Sequence, residues 1–351
     1  MYIVIAIIAF GLLIAVHEVG HFTAAKLLGV RVNEFAIGMG PKIIKKQGKE
    51  TLYSLRALPF GGFCSMDEDV ASDDPRAFTA QKRWRRVVIL AAGGIANIIA
   101  AYIIVVILVA GMSGFAGTTI VELADGFPND GENRLMAGDK IVSINGERLY
   151  YIDDFPFMMQ LAKSNNVDLV VRRGGDTITL NKYLLEQREY MTDGEMRLRY
   201  GITFNRIEPG LIEGFKYSCY MTINYVRLIR LSLAQLISGA AGVKDLTGPV
   251  GIVNAINDIG RSSPSVGAAF ANIANFTAFI AVNIALVNFF PIPAMDGGRI
   301  LFVVLSWVIE KITRRKLDQK YEGYIHMATL VLLMGLMVFI LVNDVLRIIS
   351  N

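Results

Sequence analysis

The chain is poor in the residues that most often carry redox or metal chemistry. It has two cysteines, Cys64 and Cys219, and three histidines in 351 residues. Neither cysteine belongs to a C-x-x-C or other zinc-binding pattern, which removes a thiolate metal site and a dithiol redox motif, and both read as inert. Charge is also scarce, at 19% of residues with a net +4 at pH 7. So mild an excess speaks against a nucleic-acid partner and is better explained by cations placed in loops. Charged side chains are missing altogether from residues 1–16, 87–112 and 262–295. With 53% hydrophobic residues and a mean hydropathy of +0.45, the chain is too apolar for an ordinary soluble protein of its length. It reads as a polytopic membrane protein with a soluble portion. The N-terminus lacks a basic n-region and a small-residue cleavage site, so its apolar run is expected to be retained as a span.

Two of the three histidines fall in one pentapeptide, His17-Glu18-Val19-Gly20-His21. In an H-E-x-x-H pattern on a helix, positions i and i+4 share a face, so His17 and His21 can reach one zinc ion while Glu18 stands beside them as a general base. Ordinary His and Glu usage produces this pattern by chance in a chain of this length at roughly the one-in-a-hundred level. Here it lies inside a membrane-type apolar segment. Each buried ionisable residue costs about 2.5–3.5 kcal/mol there on insertion scales, so such residues are seldom present without a role.

Taken in order, residues 1–28 form a first transmembrane helix carrying the zinc motif. Residues 29–86 are a polar, β-rich segment with eleven Lys or Arg, including the run Lys82-Arg83-Trp84-Arg85-Arg86. That density marks the cytoplasmic side. The apolar, glycine-bearing stretch at Gly61, Gly62 and Phe63 either closes a small sheet or offers an edge on which an extended substrate can pair. Residues 87–112 form a second span, interrupted by Gly93-Gly94 and Asn97, where Asn97 either bonds across helices or shapes the site. Residues 113–185 are soluble in character: a strand, a turn-strand-turn at 137–146, a helix over 153–164 and a hairpin around Gly174-Gly175. Residues 186–262 include an amphipathic helix over 211–238, placed on the outer surface. A fifth span there would move Asp296 to the opposite leaflet from His17. Residues 263–310 form a third span, broken by Asn288-Phe289-Phe290-Pro291-Ile292-Pro293-Ala294-Met295-Asp296-Gly297-Gly298. Residues 324–344 form the fourth, with His326 at its inner end. Both termini and the long middle region then lie outside, and Cys64 and Cys219 fall on opposite sides, so they are not expected to pair.

Catalytic zinc commonly takes three protein ligands plus a water. His17, His21 and Asp296 supply that set, because Asp296 lies in the broken span at matching depth. Irregular backbone inside a membrane is tolerated where it is buried in protein or lines a wet cavity. With one Zn²⁺ per chain to lower the pKa of water and Glu18 to move its proton, the expected chemistry is peptide hydrolysis within the membrane. A helical substrate must unwind first. The segments at Gly61-Gly62 and 288–298 are candidates to hold it extended, with Asn288 bonding the strand.

The chain resembles the site-2 proteases, the intramembrane zinc metalloprotease family, in a bacterial regulator-of-sigma-E protease form. The resemblance spans nearly the whole chain and rests on His-Glu-Val-Gly-His at 17–21, the Gly-Asp-Lys-Ile-Val-Ser-Ile-Asn-Gly run at 138–146 and the segment 288–298. It implies His17, His21 and Asp296 as zinc ligands, Glu18 as catalytic base, a membrane-associated β-hairpin between the first two spans, and a role for Asn288 near substrate. It also implies a polytopic α-helical protein of the bacterial inner membrane with one inserted extracytoplasmic α+β PDZ domain. Substrates would be pre-trimmed single-span membrane proteins, of the anti-sigma-factor or remnant-signal-peptide type, with a peptide or chain end at the PDZ groove. Met295 stands where the family usually has Leu, and Gly94 where it usually has Pro. Two other readings compete: a membrane zinc protease that cuts soluble loops, and a PDZ-bearing membrane adaptor whose His pair is structural or binds a regulatory metal.

Overall fold

A computed structural model describes residues 2–66, 74–128, 134–162, 164–192, 195–208, 210–239, 248–314 and 319–350. It divides into two compact units, Met1–Val109 with Phe215–Asn351, and Ala110–Gly214. The first unit holds α1 (Tyr2–Leu27), β1 (Val32–Gln47), β2 (Leu52–Met66) and α2 (Arg83–Ala110). The second holds β3 (Phe115–Leu123), β4 (Lys140–Ile144), β5 (Glu147–Arg148), a 3₁₀ turn (Ile152–Asp154), α3 (Phe155–Leu161), β6 (Asn166–Arg173), β7 (Asp176–Leu184), β8 (Arg188–Thr192), β9 (Glu195–Arg199) and β10 (Ile202–Ile207). The chain then returns to the first unit with α4 (Leu211–Ile237), α5 (Pro249–Ser262), α6 (Val266–Phe289), α7 (Asp296–Thr313) and α8 (Gln319–Ser350).

Four helices are long and apolar enough to cross a membrane: Tyr2–Leu27, Arg83–Ala110, Val266–Phe289 and, within α8, Gly323–Val342. The second begins four residues earlier than its uncharged core because the basic run from Arg83 forms its first turn. Long cationic side chains can accompany an apolar helix into the interface by extending toward water. The expected third span over 263–310 resolves into two helices, α6 and α7, with irregular chain between them. At the far end of the chain, Asp344 of α8 accepts hydrogen bonds from the Gly248 and Gly251 N–H groups at the start of α5, at 3.4 and 3.0 Å. A carboxylate there satisfies orphan donors of the helix N-terminus. The side chain of His326 lies outside the described residues, as does the segment 240–247.

β1 and β2 are each long, and each bends at glycines with left-handed φ: Gly38 and Gly40 in β1, Gly61 in β2. The bends fold both strands back. Residues 52–55 pair with 34–37 on one side and with 44–47 on the other, while 62–65 pair with the far side of 34–37. Sequence alternation suggested several short strands here, and the bends give them. Glu34 ties the layers together, accepting from Ser54, Lys42 and Arg56 at 2.7–2.9 Å.

The expected amphipathic helix is α4, one helix of 27 residues. Its buried face is largely polar, including Ser218, Thr222, Asn224 and Tyr225. The Tyr225 hydroxyl donates to Asn275 Oδ1 at 2.6 Å, and the Tyr225 ring meets Phe279 of α6 edge-on. Phe215 meets Tyr102 of α2. These partners lie on two of the helices long enough to cross a membrane, so α4 flanks α2 and α6.

The second unit is built on a sheet of order β10-β3-β4-β6-β7, with β5 paired to β4. Its two tight turns carry the residues their geometry demands, Asn145-Gly146 and Gly174-Gly175, all with positive φ. The expected helix over 153–164 is shorter, a 3₁₀ turn followed by Phe155–Leu161. The sheet also runs past the expected boundary at 185. β10 pairs antiparallel with β3, placing Ile202 opposite Leu123 and Ile207 opposite Phe115. A fully buried Asp139 receives two hydrogen bonds from Arg173 at 2.7 Å and one from the Met136 N–H at 2.9 Å.

Two outcomes follow from these ion pairs. Replacing Arg173 by Met strands the Asp139 carboxylate in the sheet and should destabilise the unit by about 3 kcal/mol. Hydrogen exchange of the β4 and β6 amides in the full chain reads this, and unchanged exchange would show the pair to be energetically idle. Burial pushes the Glu34 carboxyl up, but the hydrogen bonds from Ser54, Lys42 and Arg56 outweigh it and bring it from 4.5 down to about 2. A depressed carboxyl stabilises the fold fully above its unfolded value and loses that contribution as pH falls toward the folded one. Glu34→Gln should therefore weaken the hairpin most above pH 4.5 and cease to matter near pH 2, as followed by protease resistance of β1–β2.

Candidate metal centre

α1 is apolar along most of its length, so helix packing decides its orientation. Gly20 makes close packing possible. A Cβ added there would sit 2.4 Å from the Ala92 carbonyl oxygen and 2.8 Å from the Ala96 Cβ of α2. The same face carries His17 and His21, both buried. α2 meets them with Gly93, where an added Cβ would lie 2.4 Å from His21 Nε2 and 2.7 Å from His17 Cε1. At this position only hydrogen fits.

Asp296 comes from the other side, at the first position of α7. The chain between α6 and α7 folds so tightly that its glycines touch backbone. A Cβ on Gly298 would be 2.2 Å from the Ile292 carbonyl oxygen, and one on Gly297 would be 2.4 Å from that of Phe289. Ala294 is held at φ +75, a strained conformation for a residue with a Cβ.

Three atoms able to hold a metal meet there. His17 Nε2 and His21 Nε2 are 3.1 Å apart, and each is 3.2–3.3 Å from Asp296 Oδ2. His21 Nδ1 is 2.8 Å from the Ile89 carbonyl oxygen. That oxygen can only accept, so Nδ1 carries the proton and a neutral ring turns the Nε2 lone pair inward. With His17 Nε2 unprotonated as well, two lone pairs and a carboxylate oxygen this close repel one another unless a cation sits among them. Tetrahedral zinc with bonds of about 2.0–2.1 Å separates its ligands by about 3.3 Å, so the set fits that ion. Among the described residues this is the one group of three His, Cys, Asp or Glu side chains placed to hold a metal.

Glu18 is half-buried beside this set. The Cys64 backbone N–H donates to its carboxylate, and Gly62 approaches so closely that an added Cβ would lie 3.2 Å from Glu18 Cγ. Of the three expected β2 positions, Gly62 therefore reaches Glu18. Gly61 forms the bend beside Met39, and the Phe63 ring lies under the Arg56 guanidinium at 4.7 Å. Asn288 sits half-buried in the last turn of α6. The sequence reading missed two participants that act through backbone, Ile89 and Cys64, because a carbonyl or N–H leaves no mark on residue type. Cys64 was read as inert, and both cysteines are indeed free thiols, yet its backbone positions Glu18. Gly93 had a signal, since it interrupts an uncharged span.

A two-His, one-carboxylate set beside a glutamate, among helices of membrane-crossing length, defines the class: a metalloprotease that works within a membrane. Comparison with known proteins gives the family. The model of peptidase family M50 matches residues 5–336, and the chain belongs to that family, the site-2 proteases. It is a polytopic membrane protein and a zinc metalloprotease, with zinc as its cofactor. It is 40% identical over 346 residues to a protein of Clostridium acetobutylicum provisionally named a zinc metalloprotease, covering 98% of this chain and 97% of that one. A Clostridium perfringens protein with the same provisional name is 37% identical over 351 residues, covering 99% of each. The regulator of sigma-W protease RasP of Bacillus subtilis is 26% identical over 431 aligned positions, covering 97% of each.

Gly93→Ala places a methyl group against both imidazoles. It should weaken zinc retention by at least about tenfold, the scale seen when ligand orientation is lost. Metal analysis of the detergent-purified protein reads this, and full zinc occupancy in the variant would contradict the contact.

Proposed function

We propose that His17, His21 and Asp296 hold the zinc, that Glu18 is the general base, and that the protein cuts peptide bonds within the transmembrane segments of pre-trimmed single-span membrane proteins. The observation that carries this reading is the convergence of His17 Nε2, His21 Nε2 and Asp296 Oδ2 within 3.1–3.3 Å, with Glu18 alongside. When bound, zinc supplies the Lewis acidity that makes water a nucleophile near neutral pH and polarises the scissile carbonyl. Glu18 takes the proton of the attacking water and delivers it to the leaving amine nitrogen. The Cys64 N–H fixes the carboxylate for both transfers.

A helical substrate hides its carbonyls in its own hydrogen bonds, so cleavage needs an extended stretch. The 62–65 segment is the outer strand of the β1–β2 ribbon and runs beside Glu18. It would pair with the unwound substrate by strand addition, and Asn288 would hold the opposite side of that strand. Gly61 and Phe63 keep the edge in place through the bend and the Arg56 contact.

The inserted unit reads as a PDZ domain. The outer edge of β10 and α3 border a cavity of about 850 Å³ lined by Phe155, Tyr190, Tyr200, Gly201 and Phe204 among others, which suits an extended peptide or chain end. The density of Lys and Arg in the loops supports a cytoplasmic β1–β2 ribbon. The inserted unit and both termini then lie outside the bacterial inner membrane, where trimmed substrates of the anti-sigma-factor or remnant-signal-peptide type would present new ends.

Co-expression with a trimmed single-span substrate, with the cut mapped by mass spectrometry, tests this. Cleavage inside the span should fall by about 10²–10⁴-fold in Glu18→Gln with zinc retained. His17→Ala and Asp296→Asn should lose both zinc and cleavage, as should chelation. A cut confined to a soluble loop would overturn the intramembrane assignment, and unchanged cleavage in Glu18→Gln would remove Glu18 as base.

A further inference from the structure

Asn97 of α2 is completely buried, and neither its side-chain oxygen nor its nitrogen has a partner among the described residues. His17 Nδ1 is likewise buried and unpartnered. Buried polar atoms of this kind are rare in native proteins and call for an explanation. Packing between α1 and α2 brings the two together. Advancing along α1 from His17 and His21 to Ala25, the facing residues on α2 fall from Gly93 to Ile89 and Leu90, so the helices run antiparallel. Gly20 meets Ala92 and Ala96. Stepping one turn back on α1, from His21 to His17, steps one turn forward on α2, from Gly93 to Asn97. Positions i and i+4 share a helix face about 6 Å apart, so Asn97 follows Gly93 on the face that meets the imidazoles, level with His17.

Resting on the zinc-ligand reading above, we propose that Asn97 is a positioning residue: its side-chain oxygen, which makes no direct hydrogen bond to His17 Nδ1 in this structure, accepts from His17 Nδ1–H through one bridging water and holds Nε2 toward the metal. His21 already has the equivalent support, from the Ile89 carbonyl at 2.8 Å. Ligating imidazoles almost always donate their second N–H to such an acceptor, which fixes tautomer and ring orientation. The Ile89 carbonyl accepts from His21 Nδ1–H in addition to its place in the helix, and further along α2, level with His17, the side-chain amide of Asn97 offers the acceptor. Asn suits the place because it accepts without adding charge to an apolar span.

Zinc affinity of the full chain in detergent, by competition with a chromophoric chelator, separates the outcomes. Asn97→Ala and Asn97→Leu should weaken zinc about 10–100-fold, with thermal unfolding of the zinc-free protein showing each to be folded. Asn97→Asp keeps an acceptor in place and should restore affinity to near the wild-type value. Cobalt-loaded Asn97→Ala should show altered ligand-field bands relative to wild type, a readout that helix packing alone does not move. Wild-type affinity in Asn97→Ala overturns the proposal, as does an Asn97→Asp protein as weak as Asn97→Leu. His17→Ala keeps the two readings apart: if it binds zinc normally, the ligand assignment itself fails. If it loses zinc while Asn97→Ala does not, only the role of Asn97 fails.

Discussion

The approach of α2 to α1 at Gly20 and Gly93 is closer than any side chain would allow, and the proposed metal centre depends on it. At Gly20 and Gly93 the helices meet backbone to backbone and backbone to imidazole. Between apolar helices in lipid there is no hydrophobic force to drive association, so close van der Waals packing across small residues does that work. Here it has a second effect. It sets the Ile89 carbonyl against His21 Nδ1, which selects the tautomer and aims Nε2 at Asp296. One packing contact thereby stabilises the helix pair and organises the proposed ligand set.

Asp296 is placed by the opposite device. Instead of two regular helices packed closely, the chain abandons the helix after Phe289 and resumes it at Asp296. The turn is held by glycines pressed onto carbonyls and by a left-handed Ala294. Such backbone is costly, of order 1–3 kcal/mol for one residue in a sparsely populated region. It persists because it delivers a carboxylate at the start of α7, between two imidazoles. Met295 takes part in the turn through its backbone, its N–H donating to the Ile292 carbonyl at 3.1 Å.

The β1–β2 ribbon brings a third kind of constraint. Its bends bring the 62–65 edge to Glu18, and the ionic contacts of Glu34 hold the layers in register. At Gly62 an added Cβ would meet the Ala36 carbonyl oxygen at 2.9 Å and Glu18 Cγ at 3.2 Å, and at Gly93 it would meet His21 Nε2 at 2.4 Å.

Local pattern settles a good part of this protein. Uncharged runs mark the helices that can cross a membrane, because twenty apolar residues have few other uses. Asn145-Gly146 and Gly174-Gly175 announce their turns, because few other residues accept positive φ there. His17 and His21 announce a shared face, since helical periodicity is built into the spacing. What tertiary structure alone decided is whatever depends on partners distant in sequence. The return of β10 to β3, the flanking of α2 and α6 by α4, and the meeting of Asp296 with His17 are all non-local. So are the contacts made by the Ile89 carbonyl and the Cys64 N–H, since every residue but proline has both groups and only the fold chooses which of them face the site. Asn97 stands between the two cases: the sequence shows a polar residue in an apolar span, and the antiparallel register of two helices says which histidine it faces.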